Sequence, residues 1–311
     1  MKAPLSARKI NINGVVQGVG FRPYIFVLAR RHRLNGEVAN TDEGIRIFIE
    51  GRADHIDAFM ADLPRNPPIL ATITTMSEEE AAPRGARSFK IVKSTSTKHR
   101  TTLISPDVAT CADCLNELND PVDPRYEYPF INCTNCGPRY TIIKDIPYDR
   151  PKTSMTPFTM CADCRKEYDD PLDRRFHAQP NACPDCGPQV MLADPGGAVV
   201  TRDPKKALDE AAQLLGEGKI LAIKGLGGFH LACDATDAEA VQRLRKLKNR
   251  PHKPFALMAR DTGIAQAVVA VSAAEKIQLT SYQSPIVLMR KRTDPAPDSI
   301  CPAPEVAPLN N

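Results

Sequence analysis

With 311 residues the chain is longer than a typical single domain, so two or three domains are expected. No apolar run reaches the ~18 residues of a membrane-spanning helix, and the first residues form no targeting segment, which favours a cytoplasmic protein. The net charge of +4 is too small to require a nucleic-acid partner.

Strands and helices alternate in the first part of the chain, which we assign to a domain over 1–95. Apolar residues at every second position predict strands, and apolar residues at helical spacing predict helices. The predicted elements are a strand at Arg8–Asn13, a helix at Pro23–Arg33, strands at Glu37–Asn40 and Gly44–Glu50, a helix at Ala53–Leu63 and a strand at Phe89–Lys93. The order β-α-β-β-α-β is that of a ferredoxin-like fold.

A glycine-rich turn between the first strand and the first helix is the candidate anion site of this domain. Two glycines free the backbone to turn tightly, so that successive N–H groups can face an anion. The following helix adds its positive N-terminal end, and Arg22 can hold a phosphate with two parallel hydrogen bonds. A tight turn beside a solvated arginine explains these residues equally well. The predicted phosphate-binding loop consists of Gln17, Gly18, Val19, Gly20 and Phe21.

The sequence Val-Gln-Gly-Val-Gly-Phe-Arg-Pro at 16–23, followed by Gly-Glu-Val-Ala-Asn at 36–40, resembles the signature of the acylphosphatase family. In that family the loop and its arginine hold the phosphate of an acyl phosphate, while an asparagine on the neighbouring strand orients the attacking water. The resemblance implies these catalytic roles for Arg22 and Asn40. Phosphoryl transfer needs charge stabilisation and an aligned nucleophile more than a strong base, so this site requires no metal.

Four Cys-x-x-Cys pairs fill a second domain, predicted over 107–192 after a linker at 96–106. The pairs form two copies of one unit, and the second copy lies fifty residues after the first at every cysteine. Eight thiols with this regularity predict two closed, structural zinc sites. Disulfides are the less favoured interpretation, because they need an oxidising compartment. The predicted ligands are Cys111, Cys114, Cys133, Cys136, Cys161, Cys164, Cys183 and Cys186, whereas Cys233 and Cys301 are interpreted as ordinary thiols.

The pairing of these cysteines is open at this point. Pairing within each repeat is the simplest arrangement, and the spacing also permits pairing between repeats. His177 has Glu127 as its counterpart in the first repeat, so we interpret it as a surface residue or as one that lies behind the ligands. Acidic residues within the first unit argue against a surface for a nucleic-acid backbone. They are Asp113, Glu117, Asp120 and Asp123.

A third domain with an α/β pattern is predicted over 200–311. Its predicted elements are a helix at Pro204–Leu215, a strand at Ile220–Lys224, a helix at Asp237–Leu247 and a strand at Phe255–Ala259. The third of these elements is expected to turn Ala240, Val241, Leu244 and Leu247 inward. A run of cations from Arg243 to Lys253 is usually a solvated helix face. Opposite a glycine-rich strand end, the same run could hold the phosphates of a nucleotide.

The sequence Lys-Gly-Leu-Gly-Gly-Phe-His at 224–230, with Lys-Asn-Arg-Pro at 248–251, resembles the YrdC-like threonylcarbamoyl-AMP synthases. That family binds ATP, with Mg²⁺ as the accompanying cation, and converts an activated carboxylate to an acyl adenylate. The resemblance implies nucleotide contacts for Lys224, Lys248 and Arg250, while packing explains His230 equally well. A later serine- and asparagine-containing stretch of the family is missing, so we expect a truncated domain.

The whole order predicts an α+β multidomain protein: a ferredoxin-like acylphosphatase domain, a small tandem zinc-finger module with four cysteines per finger, and a partial YrdC-like domain. This order resembles the HypF family, the carbamoyltransferases of nickel–iron hydrogenase maturation. The resemblance implies hydrolysis of carbamoyl phosphate, formation of carbamoyl-AMP with ATP, and transfer of the carbamoyl group to the C-terminal cysteine of the partner HypE. Two alternatives are a stand-alone acylphosphatase and a zinc-dependent RNA-binding protein related to tRNA modification.

Overall fold

Two compact units, Met1–Pro188 and Gln189–Asn311, make up the chain in a computed structural model that describes residues 5–94, 103–292 and 300–309. The first unit contains a sheet domain at 5–94 and a cysteine-rich module at 103–188. Most of the predicted linker at 96–106 lies outside the described residues. No helix in the described part of the chain is long and apolar enough to cross a membrane.

The sheet domain is one five-stranded sheet with two helices. Its elements are β1 (Leu5–Val15), α1 (Phe21–Arg31), β2 (Asn35–Thr41), β3 (Gly44–Arg52), α2 (Ala53–Asp62), β4 (Thr72–Ala81) and β5 (Phe89–Ile91). The strand order is β4-β1-β3-β2-β5, antiparallel except for the parallel pair β2–β5. Ile10 pairs with Ile47, and both are fully buried beneath the helices. Alternation along β1 thus places its isoleucines in the core and its asparagines outside.

The ferredoxin-like order is confirmed, but the strand that completes it is not the predicted one. Thr72–Ala81 forms β4 and pairs with β1 along one edge of the sheet. It was missed because almost every residue of this strand is exposed, so no apolar alternation marks it. The predicted strand at Phe89–Lys93 exists as Phe89–Ile91, and adds a fifth strand at the opposite edge.

The cysteine-rich module contains little regular structure. Its helices are α3 (Ala112–Asn119) and α4 (Ala162–Asp169), with short 3-10 turns at Tyr140–Ile142 and Arg150–Lys152. Cys111 is the N-cap residue of α3 and Cys161 is that of α4, so the first Cys-x-x-Cys pair of each repeat lies at a helix start.

The second unit consists of helices and short two-stranded pairs. Its elements are β6 (Leu192–Ala193), β7 (Val199–Thr201), α5 (Pro204–Gly216), β8 (Leu221–Lys224), β9 (Phe229–Ala232), α6 (Ala238–Leu247), α7 (Thr262–Val268), β10 (Val269–Ala270), α8 (Ala273–Leu279), β11 (Arg290–Lys291) and a 3-10 turn at Pro304–Val306. The predicted helices correspond to α5 and α6, and the predicted strand at Ile220–Lys224 to β8.

Two details of the second unit differ from prediction. Phe255–Ala259 is not a strand: Phe255 N–H donates to Val306 O at 3.0 Å, but no neighbouring strand pairs with the segment among the described residues. Leu247 is 72% exposed, although Val241 and Leu244 are buried. Ala303 and Val306 pack against Val241, and this cover does not extend to the last residue of α6.

Candidate functional site

The glycine-rich turn forms a tight loop between β1 and α1. Gly18 and Gly20 adopt left-handed φ angles of 71° and 76°, which glycine tolerates without steric cost. Val19 and Phe21 are anchored in the core of the sheet domain. Within the described residues, the backbone N–H groups of 19–22 donate to no protein acceptor. The loop therefore presents free donors at the positive N-terminal end of α1.

Arg22 and Asn40, the two predicted catalytic residues, lie together beside this loop. Arg22 is in the first turn of α1, and Asn40 is near the end of β2. Both donate to one oxygen, because Asn40 Nδ2 lies 3.2 Å and Arg22 Nη2 lies 3.5 Å from Tyr148 O. Gln17 ties the loop to the sheet, since its Nε2 lies 2.7 Å from Thr41 O. The fold thus brings the predicted loop and both predicted side chains to one place.

The Oδ1 atom of Asn40 is a buried acceptor without a donor. Asn40 is 1% exposed, and no hydrogen-bond partner reaches this atom within the part of the chain that the structure describes. A buried polar atom without a partner costs about 1–3 kcal/mol, so it needs a reason. A water molecule that donates to Oδ1 would remove this cost, which suits a residue that orients a nucleophilic water.

The wall opposite the loop comes from the cysteine-rich module. Asp149 Oδ1 lies 2.9 Å from Arg22 Nη1. Arg139 donates from Nε to Gly18 O, and a Cβ atom on Gly20 would lie only 2.7 Å from Thr134 Cγ2. Glycine is therefore required at position 20 by close approach of the module as well as by its φ angle. The site is built jointly by the sheet domain and the module.

Sequence reasoning missed the contribution of Tyr148 and Asp149. They lie more than a hundred residues after Arg22 and Asn40, and Asp149 follows Arg22 by 127 positions. No motif or periodicity links such distant segments, and nothing in the residues around Asp149 distinguishes this carboxylate from a surface one. Only the three-dimensional packing of the module on the loop reveals the contact.

His177 lies on the same wall, which corrects its interpretation as a surface residue or one behind the cysteines. It lines the cavity that also contains Arg22 and Asn40. Burial, with a smaller effect of the Arg22 cation, lowers the pKa of His177 to about 3, so the imidazole is neutral at physiological pH. Its ring centroid lies 4.9 Å from that of Tyr168, which fixes its orientation.

The backbone at His177 is part of the repeat, although its side chain is not. His177 and its counterpart Glu127 both have a φ of 54°. His177 N–H donates to Tyr168 O at 3.0 Å, and Glu127 N–H donates to Leu118 O at 2.9 Å, which are equivalent positions of the two repeats. The first repeat exposes its glutamate, whereas the second repeat directs a histidine to the site.

The eight predicted zinc ligands form two clusters, and each cluster is made within one repeat. The sulfur atoms of each group of four lie within 4.8 Å of one another. Neighbouring sulfurs are 3.4 to 3.8 Å apart in the first cluster and 3.6 to 3.7 Å in the second. A tetrahedral zinc ion with Zn–S bonds of about 2.3 Å sets its sulfurs about 3.8 Å apart. The spacing therefore fits zinc, with pairing within the repeats.

The surroundings of the sulfurs also fit bound zinc. Burial raises the pKa of the Cys164 thiol, so this cluster resists ionisation unless a cation compensates for the charge. Guanidinium groups supply further compensation, since Arg174 Nη2 lies 2.9 Å from Cys114 Sγ and Arg125 Nη2 lies 3.4 Å from Cys164 Sγ. Four thiolates leave no position open for a substrate, so zinc would act structurally here.

Charged residues that recur in both repeats hold the two repeats together. Arg125 of the first repeat donates to Glu167 of the second at 2.8 and 2.5 Å, and Arg175 of the second donates to Glu117 of the first. Both arginines are almost completely buried. Glu117 is one of the acidic residues that we interpreted as unfavourable for binding a nucleic-acid backbone, and arginine neutralises its charge. The repeat produces an interlocked pair rather than two separate fingers.

The three residues predicted to bind a nucleotide lie in the second unit, and Lys224 is not bonded to the other two among the described residues. Lys224 ends β8 and places its ammonium 4.7 Å from the centre of the Phe229 ring. Lys248 follows α6 and is exposed, whereas Arg250 donates to Pro254 O at 2.6 Å. Among the described residues, no hydrogen bond or ion pair joins Lys224 to either of the other two. Their nucleotide role stays a prediction.

Three protein-family models match the chain. The model described as acylphosphatase matches residues 8–91. The model described as HypF finger matches 110–143 and 160–193. The Sua5/YciO/YrdC model, described as telomere recombination, matches 213–306. Each model thus covers one of the three segments that the sequence patterns distinguish.

Curated relatives and solved structures match all three segments together. The chain is 49% identical over 288 residues to the carbamoyltransferase HypF2 of Cupriavidus necator, covering 92% of this chain and 35% of that protein. It is 49% identical over 283 residues to the carbamoyltransferase HypF of Synechocystis, covering 91% and 37%. A crystal structure of full-length HypF in the phosphate- and nucleotide-bound form is similar with a TM-score of 0.88 and 46% identity, covering 99% of this chain and 39% of that chain. The chain therefore spans little more than a third of the length of these proteins.

Proposed function

Because the chain belongs to the HypF family of carbamoyltransferases over the segment that it shares with them, we propose that its sheet domain hydrolyses carbamoyl phosphate. One observation carries this proposal. Arg22, the loop residues Gly20 and Phe21 with their free N–H groups, and Asn40 with its unpartnered Oδ1 line one small cavity. Together they provide the cation, the amide donors and the water-orienting acceptor that hydrolysis of an acyl phosphate requires.

The proposed reaction follows from these positions. The N–H groups and Arg22 hold the phosphate oxygens and neutralise charge as it develops on them. Asn40 Oδ1 accepts a hydrogen bond from a water, whose oxygen attacks phosphorus as the bond to the carbamoyl oxygen breaks. Carbamoyl phosphate dianion and water thus give carbamate and dihydrogen phosphate, with both water protons retained on phosphate. Carbamate is a good leaving group, so the neutral His177 imidazole need not act as an acid.

The relatives are carbamoyltransferases longer than this chain, and we propose that the whole protein performs two further steps. Carbamate and ATP, with Mg²⁺, give carbamoyl-AMP and pyrophosphate in the YrdC-like segment, with Lys224, Lys248 and Arg250 as nucleotide contacts. The carbamoyl group then passes to the C-terminal cysteine of HypE. The match of 213–306 to the Sua5/YciO/YrdC model and the nucleotide-bound relative support this proposal. Its test is ATP–pyrophosphate exchange that depends on carbamoyl phosphate. Exchange that proceeds equally without carbamoyl phosphate would contradict it.

Phosphate release from carbamoyl phosphate tests the hydrolysis step. Arg22→Ala and Asn40→Ala are each expected to lower kcat/KM by about 10²–10³-fold, the usual effect of removing a transition-state donor or orienting group. Arg31→Ala is the matched control, because Arg31 is an exposed arginine on the same helix. Undiminished release by both Arg22→Ala and Asn40→Ala, in folded protein with two zinc ions, would contradict the proposal.

A further inference from the structure

Tyr148 and Asp149 accept hydrogen bonds from the side-chain donors of the proposed phosphate site. Arg22 directs Nη1 to Asp149 and Nη2 to Tyr148 O, and Asn40 directs its amide to the same Tyr148 oxygen. The remaining cavity has a volume of about 20 Å³, which is room for about one water molecule. An acyl phosphate is larger, and because Arg22 Nη1 is paired with Asp149, the phosphate can take this donor only if Asp149 releases its ion pair.

The segment that carries these two residues is anchored on both sides. Tyr148 N–H donates to Gln17 Oε1 at 2.9 Å, which fixes it to the sheet domain. On the other side, Arg150 donates to Gln179 O at 2.7 Å and to Asn181 O at 2.8 Å, which fixes it to the second repeat. With its neighbours held, the Asp149 carboxylate can rotate away from Arg22 but remains at the edge of the site. It is then an acceptor in need of a new donor.

A substrate that carries both an anion and an N–H donor provides a new partner for Arg22 and a new partner for Asp149. Its phosphate replaces Asp149 as the partner of Arg22, and its N–H group replaces Arg22 as the partner of Asp149. Resting on the proposed function, we propose that Asp149 is a specificity-determining residue that accepts a hydrogen bond from the carbamoyl –NH₂ group. It selects carbamoyl phosphate over acyl phosphates with an alkyl group.

Acetyl phosphate shows why this change of hydrogen-bond partners distinguishes between the two substrates. It supplies the phosphate for Arg22, but its methyl group offers nothing to the displaced carboxylate. The Asp149 side chain is only 26% exposed, so water compensates it incompletely. A site built around a hydrogen bond rejects an analogue that lacks the donor, because the buried acceptor is left unpaired.

Steady-state kinetics of the zinc-loaded 311-residue chain with both substrates test this inference. The measured quantity is the ratio of kcat/KM for carbamoyl phosphate to kcat/KM for acetyl phosphate. Asp149→Ala is expected to lower this ratio by about 10- to 100-fold, the value of one hydrogen bond to a charged group. Asp149→Asn keeps an acceptor oxygen without its charge and is expected to give an intermediate ratio. Asp145→Ala is the control, since this carboxylate contacts Lys152 rather than Arg22 and is expected to leave the ratio unchanged.

The outcomes separate this inference from the proposed function. Hydrolysis of both substrates by the wild type, with an unchanged ratio in Asp149→Ala, overturns the role of Asp149 and leaves acyl-phosphate hydrolysis intact. If neither substrate is hydrolysed by the wild type, the proposed function itself fails. Should Asp149→Ala lose its zinc, Asp149→Asn alone decides, and a ratio equal to that of the wild type overturns the inference.

Discussion

The sheet domain buries isoleucine against isoleucine, whereas the cysteine-rich module buries thiols and arginines. Ile10 and Ile47 face each other in a continuous apolar core. In the module, by contrast, the buried residues include Cys114, Arg125 and Arg175. Burial of apolar surface stabilises the first region without help. The second region concentrates charge and thiols that need a metal, so the two regions should respond differently to zinc removal.

Zinc removal should cause the largest loss of structure, and it should unfold the cysteine-rich module alone. Binding of structural zinc contributes about 10–16 kcal/mol in small zinc domains, far more than the few apolar contacts of this module can replace. Hydrogen exchange after chelation is expected to lose protection throughout 103–188 and to retain it in β1 and β3. Cys136→Ser should reproduce the loss in the first repeat, whereas Cys301→Ser, at an exposed cysteine, should not. Protection that persists in the module would contradict this division.

Breaking an ion pair between the repeats should cause the next largest loss, a loss of folding stability. Arg125→Ala leaves the half-buried Glu167 without its principal cation and removes the hydrogen bond to Ala182 O. Loss of one partner of a buried ion pair costs about 3–5 kcal/mol. Urea unfolding of the zinc-loaded chain, followed in the module, measures this loss, with the exposed Arg165→Ala as control. Equal stability of the two variants would show that the repeats are held by zinc alone.

The smallest expected effect is a loss of folding stability as pH falls. The folded pKa of His177, about 3, lies below its ordinary value of 6.5, so the unfolded chain takes up the proton first as pH falls. The stability that this residue contributes is complete above about pH 6.5 and is lost as pH falls towards 3. At pH 5 the loss reaches about 2 kcal/mol. Wild type should therefore lose about this much more stability than His177→Gln between pH 7 and pH 5, in urea unfolding at both values. His252→Gln, at an exposed histidine, should behave like wild type.

Local sequence patterns were enough to predict a feature when the residues that form it are near one another in sequence. The loop at 17–21, Arg22, Asn40 and the cysteine repeat all belong to short motifs, and the structure brings each set together. Strand β4 escaped because an edge strand with both faces exposed carries no apolar alternation. The strand predicted at Phe255–Ala259 failed for a related reason, since a strand needs a neighbour that sequence periodicity does not specify.

The wall of the site could not be predicted because it depends on packing between distant segments. Asp149 lies in a stretch without regular strands, and His177 differs from its counterpart in the other repeat only by its side chain. The repeat itself misled the interpretation of His177, because departure from the repeated plan suggested a residue without a role. Such a departure can instead mark the place where one copy of a repeat meets a neighbouring domain.

The central claim is that the sheet domain and the cysteine-rich module build one acyl-phosphate site between them. Kinetics with carbamoyl and acetyl phosphate, before and after zinc is removed from the same chain, test it most directly. The account predicts that acetyl phosphate is still hydrolysed after zinc removal, because Arg22 and Asn40 belong to the sheet domain. It also predicts that the preference for carbamoyl phosphate falls to the level of Asp149→Ala. An unchanged preference in zinc-free protein whose module has unfolded would contradict the account.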